Sequence, residues 1–395
     1  MKKIDLIIVP FHDYKKWINE GFRTRDAHLF EHFKNDKRIN KILVVNRPVS
    51  LAEQILKRIN WKTNIGEKIY EDDGVCIKEI EKNVYIVDTF VNDLFRVALE
   101  GKAWWNSAFR NEKVLNNIQN ATEFIGMKDK YLLLQNPMSV GVIGNLNEKK
   151  VIFDAIDNWL CHPQMIKNKD MIKSNYEYID KNADVICTVS DDLKRIFVDN
   201  KNINWVSNGV DKEFFAKGIS NYGYEKDITI GYVGKIQERV DFKLIEECLS
   251  VFNMCKFKFV GPILSEKDKI DKIKEKYKNI EFIGDIHYEN LPEEMKKIDI
   301  AIIPHKVNEF TNSMNPLKLY EYLASGKQVV TTNVAGCEDI SKYVYISEDN
   351  EEFICNLGNA IDLYKSDIEL GEKVYSTLKD EYTWEYKSDR ILSLL

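Results

Sequence analysis

Lys318 and Glu321 stand three residues apart in Asn312-Ser313-Met314-Asn315-Pro316-Leu317-Lys318-Leu319-Tyr320-Glu321-Tyr322-Leu323-Ala324-Ser325-Gly326. On a helix that spacing places both on one face. Asn315 suits an N-cap, Pro316 the first helical position and Gly326 the position past the end, so the segment predicts a helix over 316–325. Its body is Leu, Tyr and Ala nearly all round, as in a buried helix. A helix start carries free backbone N–H groups and about half a positive charge, and with Lys318 in the first turn it forms a place for phosphate. One turn deeper, Glu321 is able to accept two hydrogen bonds at once, as from the vicinal hydroxyls of a ribose. Phosphate and ribose side by side make a nucleotide. A plain Lys–Glu surface pair has the same spacing, but the apolar neighbours weigh against it.

A second set of cations follows the run 228–233, in Gly234-Lys235-Ile236-Gln237-Glu238-Arg239. Gly231 and Gly234 allow backbone to approach a ligand closely. Lys235 and Arg239, facing a helix N-terminus, would hold a diphosphate. Gly–Lys turns are common, so this segment gains weight only beside Lys318. Neither GxxxxGK[ST] nor GxGxxG is present. The six histidines (12, 28, 32, 162, 287 and 305) form no HExxH pattern, the seven cysteines form no CxxC pair, and there is no Asp-x-Asp. The expectation is a site that needs no metal and no cofactor, with the nucleotide entering as a co-substrate.

Such residues need strands to hold them. Short β-rich runs alternate with helical patterns at 4–9, 41–46, 84–87, 131–135, 151–153 and 184–190, and again at 228–233, 256–260, 280–283, 299–303, 328–332 and 343–346. The runs are mostly apolar throughout, as strands covered on both faces are. Six and then six predict an α/β chain of two doubly wound, Rossmann-like parallel sheets, with ligands beyond the strand ends and the cleft between the domains as the default site. The Asn208-Gly209 turn places the boundary near 205–211, giving domains 1–205 and 206–365. A polar stretch at 217–226 precedes the first strand of the second domain. The last helical segment, 366–395, opens on capping-box spacing between Ser366 and Glu369 and could pack back on the first domain.

With 395 residues, 44% of them hydrophobic and 30% charged, the chain has enough apolar surface for two cores, which excludes wholesale disorder. No run of 18 apolar residues exists to span a membrane. Met1–Asp5 reads as a first strand, not a signal peptide, and the scattered cysteines suit a reducing cytosol. The net charge of −6 argues against nucleic acid held by phosphate neutralisation. Residues 1–200 nevertheless hold 31 Lys+Arg against 29 Asp+Glu, which leaves open a peripheral contact with an anionic, cytoplasmic membrane face; solvated helix faces are the plainer account.

The second half resembles the retaining family 4 glycosyltransferases of the glycosyltransferase B architecture. The resemblance rests on an ordered series: Thr188-Val189-Ser190, Asn208-Gly209-Val210-Asp211, Gly231-Tyr232-Val233-Gly234-Lys235, Phe259-Val260-Gly261-Pro262, Phe282-Ile283-Gly284-Asp285, Asp299-Ile300-Ala301-Ile302-Ile303-Pro304, and Pro316 through Gly326. It covers about residues 180–340 well and the first half loosely. It implies that Lys235 and Arg239 neutralise the diphosphate of a nucleoside-diphosphate sugar. Glu321 would be the ribose-binding carboxylate of the family's Glu-x7-Glu motif. The main chain at Ile286-His287 would meet the base, and Asn315, Pro316 and Leu317 would line the phosphates or the donor sugar. The motif's first carboxylate falls at Ser313, a departure that bears on how the sugar's hydroxyls are held.

The first half is expected to bind the acceptor, a glycan or lipid-linked glycan. His12, Trp17 and Arg25 follow the first strand and could line the cleft, Trp17 as a stacking face for a sugar; a loop folded on its own aromatics is the other account. Asp157 lies just past the run 151–153, where related enzymes often carry a histidine touching the donor sugar. It could orient the acceptor hydroxyl or assist its proton loss, or cap a helix. Trp104-Trp105 more often mark core packing. The function implied is transfer of a sugar to an acceptor hydroxyl with retention, in polysaccharide or glycan assembly, with catalysis resting on Asp157, Lys235, Arg239 and Lys318. Two rival readings are a sugar-nucleotide 2-epimerase and a non-catalytic partner subunit that binds sugar nucleotide.

Overall fold

The computed structural model describes residues 3–220 and 227–395. The chain divides into two compact units, one of Met1–Val206 with Ser388–Leu395 and one of Ser207–Lys387. Residues 366–387 thus belong to the second unit, and only the final segment joins the first, where Asp389 pairs with Arg38 at 2.8 Å. Ser366 does not open a helix. It closes Asn350–Ser366, and the next helix, Leu370–Thr377, begins without a side-chain cap. Residues 221–226 of the expected polar linker lie outside the described residues, as do Met1 and Lys2.

The strands of the first unit are β1 (Ile4–Val9), β2 (Ile39–Val45), β3 (Val49–Ser50), β4 (Glu67–Asp72), β5 (Val75–Glu81), β6 (Val84–Val91), β7 (Lys130–Leu134), β8 (Lys150–Ala155), β9 (Val185–Thr188) and β10 (Ile203–Trp205). Their order is β10-β9-β8-β7-β1-β2-β6-β5-β4, with β3 on β6. The six expected runs form the parallel body. Two further strands, β4 and β5, add an antiparallel edge, so the sheet is mixed and not wholly parallel as expected. Its centre is apolar because Leu6–Val9, Ile42–Val45 and Leu132–Leu134 are all buried, each such side chain contributing ~1.5–3 kcal/mol.

Buried polar groups in this unit come in matched sets. Arg25 grips Asp154 through Nε at 2.9 Å and Nη2 at 2.8 Å, and Gln135 Nε2 donates to the same carboxylate at 3.0 Å. Asp26 accepts from Trp17 Nε1 at 2.9 Å and from the His12 backbone N–H at 2.7 Å. Burial works against the Asp26 carboxylate, yet His12, through its charge and its side-chain and backbone hydrogen bonds, holds the pKa down at about 2.

In the helix Arg25–Phe33, His28 is held neutral: burial first, and then His32, push its pKa down to about 3 against the pull of Asp26. Its folded value lies below the ordinary value of 6.5, so an unfolded chain takes up a proton that the folded one refuses. Stability is therefore expected to fall as pH drops from 6.5 toward 3, by about 1.4 kcal/mol per unit from this group. Urea unfolding of the wild type and of His28→Asn between pH 6.5 and 5 checks this. The variant should show the shallower slope, and equal slopes would remove His28 as the cause.

The second unit holds β11 (Thr229–Val233), β12 (Lys256–Val260), β13 (Ile280–Gly284), β14 (Ile300–Ile303), β15 (Gln328–Thr332) and β16 (Val344–Ser347), all parallel, in the order β13-β12-β11-β14-β15-β16. Chain progress reverses between β11 and β14, the switch point beyond whose strand ends open α/β sheets bind ligands. Helices seal the sheet. Asp241 caps Phe242–Val251 by accepting from the N–H groups of Lys243 and Leu244, and that helix buries Leu244, Ile245, Cys248 and Leu249.

Candidate functional site

The segments leaving β11 and β14 are joined. Asp241 N donates to Pro304 O at 2.8 Å, Lys306 N to Arg239 O at 2.8 Å, and Val240 bridges His305. The loop leaving β12 is pressed on the same place: a Cβ at Gly261, whose φ is +140°, would lie 2.1 Å from Gly234 O. The backbone of Gly234 is itself at φ +139°, and a Cβ there would lie 2.8 Å from Lys318 Nζ. Only glycine fits both requirements, conformation and space.

Lys318 comes from the helix Leu317–Ala324, which starts one residue later than expected. Pro316 is the N-cap and accepts no hydrogen bond through its side chain. Asn315 does not cap the helix: its Oδ1 accepts from Asn208 N at 2.8 Å and its Nδ2 donates to Gly336 O at 3.2 Å, so its side chain ties three loops together. Tyr322 fixes the helix to β11, its hydroxyl accepting from Val233 N at 2.7 Å. Leu319, Tyr320, Leu323 and Ala324 are buried around it.

This packing buries the Lys318 amine. Its Nζ donates to Tyr232 Oη at 2.8 Å and stands 4.0 Å from the Tyr232 ring centre. Tyr232 Oη in turn donates to Lys235 O at 3.0 Å and lies 3.3 Å from His305 Nε2. Burial first, then the Arg239 guanidinium, lower the Lys318 pKa well below its usual value, while Glu321 pulls the other way. The same burial, with Lys318 and Arg239, keeps His305 neutral. Arg239 places Nη1 3.8 Å from Met314 Sδ, and its Nε is buried with no hydrogen-bond partner among the described residues. A buried donor left over in this way is costly unless a ligand meets it.

The residues anticipated from sequence thus divide. Gly234, Arg239, Lys318 and Glu321 share one electrostatic neighbourhood at the β11/β14 switch point. Lys235 stands in the same loop and contributes its carbonyl to Tyr232. Ser313, at the place of the motif's first carboxylate, is buried with Oγ donating to Phe310 O at 2.8 Å. His287 is exposed beyond β13, 3.6 Å from Glu289. Tyr232 and His305 were not anticipated; their one signal was a hydroxyl and an imidazole beside strand ends already chosen.

The first unit has its own switch point, between β1 and β7, and a cavity of about 250 Å³ lies there. Phe11, His12, Lys16, Arg47, Trp105 and Asn136 line it; Trp105 also packs, partly buried, against the core, and Trp104 is buried in it. Arg47 stacks over the Trp105 ring at 4.9 Å. Trp17 and Arg25, expected beside His12, are corrected: both are buried, Trp17 donating to Asp26 and Arg25 paired with Asp154, so neither offers a face to a ligand. Asp157 follows β8 in a loop, where its backbone carbonyl accepts from Tyr176 Oη at 3.1 Å; no helix starts there for it to cap. Among the described residues no group of three or more His, Cys, Asp or Glu side chains is placed to hold a metal ion. Nor is any helix long and apolar enough to cross a membrane.

Two Rossmann-like domains in this order make the glycosyltransferase B architecture, and solved structures of that shape cover the chain end to end. Sucrose-phosphate synthase from Thermosynechococcus elongatus superposes with a TM-score of 0.68 at 11% identity, covering 100% of this chain and 98% of its own. HepE from Anabaena, in complex with UDP and glucose, gives 0.62 at 10% identity, covering 99% and 98%. At such identities the likeness is one of fold. Residues 227–364 match the family described as Glycosyl transferases group 1. TuaH of Bacillus subtilis (strain 168), described as a putative teichuronic acid biosynthesis glycosyltransferase, is 31% identical over 213 residues. That match spans 50% of this chain and 54% of the relative's length.

Proposed function

We propose that the protein transfers a sugar from a nucleoside diphosphate to an acceptor hydroxyl with retention, in the assembly of a polysaccharide or other glycan. The observation that carries this reading is the convergence of Lys318, Arg239 and the Gly234 backbone at one strand-end crevice, with a buried guanidinium N–H left for a ligand. The domain family and the TuaH relative support a sugar-transfer chemistry. HepE, which shares the fold, binds UDP and makes uridine the first nucleotide to test.

The barrier to such a transfer is charge separation. As the bond from the anomeric carbon to the diphosphate oxygen breaks, the sugar turns oxocarbenium-like and negative charge grows on the phosphate. Lys318 and Arg239 stabilise that charge more as it grows, which lowers the barrier as well as the ground state. The acceptor oxygen attacks the same face that the phosphate leaves, and its proton passes to the departing phosphate oxygen. No protein base is then required, and the protein's own cations neutralise the diphosphate. The cavity at the end of β1 and β7, with Trp105 for a ring face and His12, Lys16 and Asn136 for polar contacts, is the acceptor's place in the first unit. Glu321 takes the ribose hydroxyls.

The test is calorimetric titration with UDP and other nucleoside diphosphates. Glu321→Gln should weaken binding about tenfold or more, the cost of a lost charge-assisted hydrogen bond. An unchanged dissociation constant removes the ribose assignment. Binding of sugar nucleotide with no turnover on any glycan acceptor would favour a non-catalytic subunit, a reading to which the uncharged Ser313 lends its one observation.

A further inference from the structure

Five large apolar side chains of the first unit stand in solvent on two neighbouring segments. Ile55 and Leu56 end the helix Leu51–Leu56, and Leu94, Phe95 and Leu99 lie before and within the helix Arg96–Glu100. Leu56, Phe95 and Leu99 are 78%, 75% and 84% exposed. The segments are held together, since β3 pairs with the end of β6 and Ala52 N donates to Asp93 O at 3.1 Å. The helix Arg96–Glu100 buries none of its residues. Single exposed leucines need no explanation, but a gathered set of this size marks a surface that meets something apolar.

Charge says which kind of surface. Lys57 and Arg58 follow the first helix directly, and Lys102 follows the second with its amine 2.5 Å from Gln164 Oε1. Through that contact the strip continues to Ile166, 66% exposed, and to Lys167. The acids in between are already bound, Glu53 by Arg47 at 2.9 Å and Lys57 at 3.7 Å, and Glu100 and Asp93 by Arg96 at 3.0 and 4.0 Å, which leaves Arg58, Lys102 and Lys167 as the surplus. Protruding apolar side chains flanked by surplus cations are what an interfacial segment shows to an anionic bilayer, the apolar groups entering the acyl boundary and the cations staying among the headgroups. We propose that this strip docks the protein on an anionic lipid surface. Arg47 and Trp105, which wall the cavity of the first unit, join the same two helices, Arg47 through Glu53 and Trp105 through the 3-10 turn Gly101–Ala103. Docking would therefore bring that cavity wall to the lipid boundary, where an acceptor anchored in the membrane would be met.

Sedimentation of the full chain with vesicles of phosphatidylcholine alone, and with phosphatidylglycerol added, tests this. Binding is expected to the anionic vesicles, weakened by salt. Phe95→Asp with Leu99→Asp should reduce partitioning at least tenfold, and Arg58→Glu with Lys102→Glu should reduce it on anionic vesicles alone. Both variants keep the wild-type melting curve, because these side chains are uncovered. No binding to either vesicle, or unchanged partitioning of both variants, overturns the proposal. So does self-association in gel filtration that the aspartate variant abolishes without any vesicle binding, which assigns the strip to a second copy. UDP titration of the same proteins keeps the outcomes separate: loss of nucleotide binding in the wild type sinks the transferase reading and leaves the lipid result standing.

Discussion

Lys318→Met is expected to lower kcat/KM for the sugar nucleotide by about 10²–10³-fold, on the order of 3–4 kcal/mol of transition-state stabilisation. The reasoning starts from burial. An amine packed against Gly234 and the Tyr232 ring has lost most of its water, so its charge is costly until an anion arrives. A diphosphate supplies that anion, and the low dielectric that made the charge costly makes the attraction strong. The sign of the pH effect follows. The pKa of Lys318 is lowered in the free protein and raised again by the bound diphosphate, so between the two values binding takes up a proton. Nucleotide affinity should therefore fall as pH rises through that window, and Lys318→Met should lose the dependence along with the rate. Methionine keeps the side-chain volume, so the melting temperature serves as the control. Wild-type kinetics in the variant would remove Lys318 from the reaction.

Arg25→Met is expected to destabilise the first unit by about 3–5 kcal/mol, because it strands the Asp154 carboxylate in the core with only Gln135 as a partner. The partner matters more than the pair. Replacing both, as in Arg25→Met with Asp154→Leu, should recover much of the loss, since well-packed apolar residues often match a buried ion pair. Denaturant unfolding measures both variants. If Arg25→Met left stability unchanged and altered acceptor kinetics instead, the arginine would be a ligand contact and its burial beside Asp154 would not describe the working protein.

Much of the architecture was legible because buried parallel strands are apolar on both faces. The runs 256–260 and 328–332 coincide with β12 and β15 residue for residue. Among the strands that escaped notice, β4, Glu-Lys-Ile-Tyr-Glu-Asp, lies at an edge with no fully buried residue, and β10 is three residues long. On the donor side, Gly234 and Arg239 were singled out because they follow the end of β11, and Lys318 and Glu321 because they share one face of the helix after β14. Trp17, Arg25 and Asn315 were misread for a common reason. Their partners lie 9, 129 and 107 positions away, at Asp26, Asp154 and Asn208. A side chain's type states what it is able to bond, not what it meets.

From sequence alone came the alternation of strand and helix, which depends on short-range pattern. Tertiary packing alone decided which charges lose their water and which neighbour compensates each. The worth of a charge is set by solvent exclusion and by partners within a few ångströms, and both are properties of the folded chain in space.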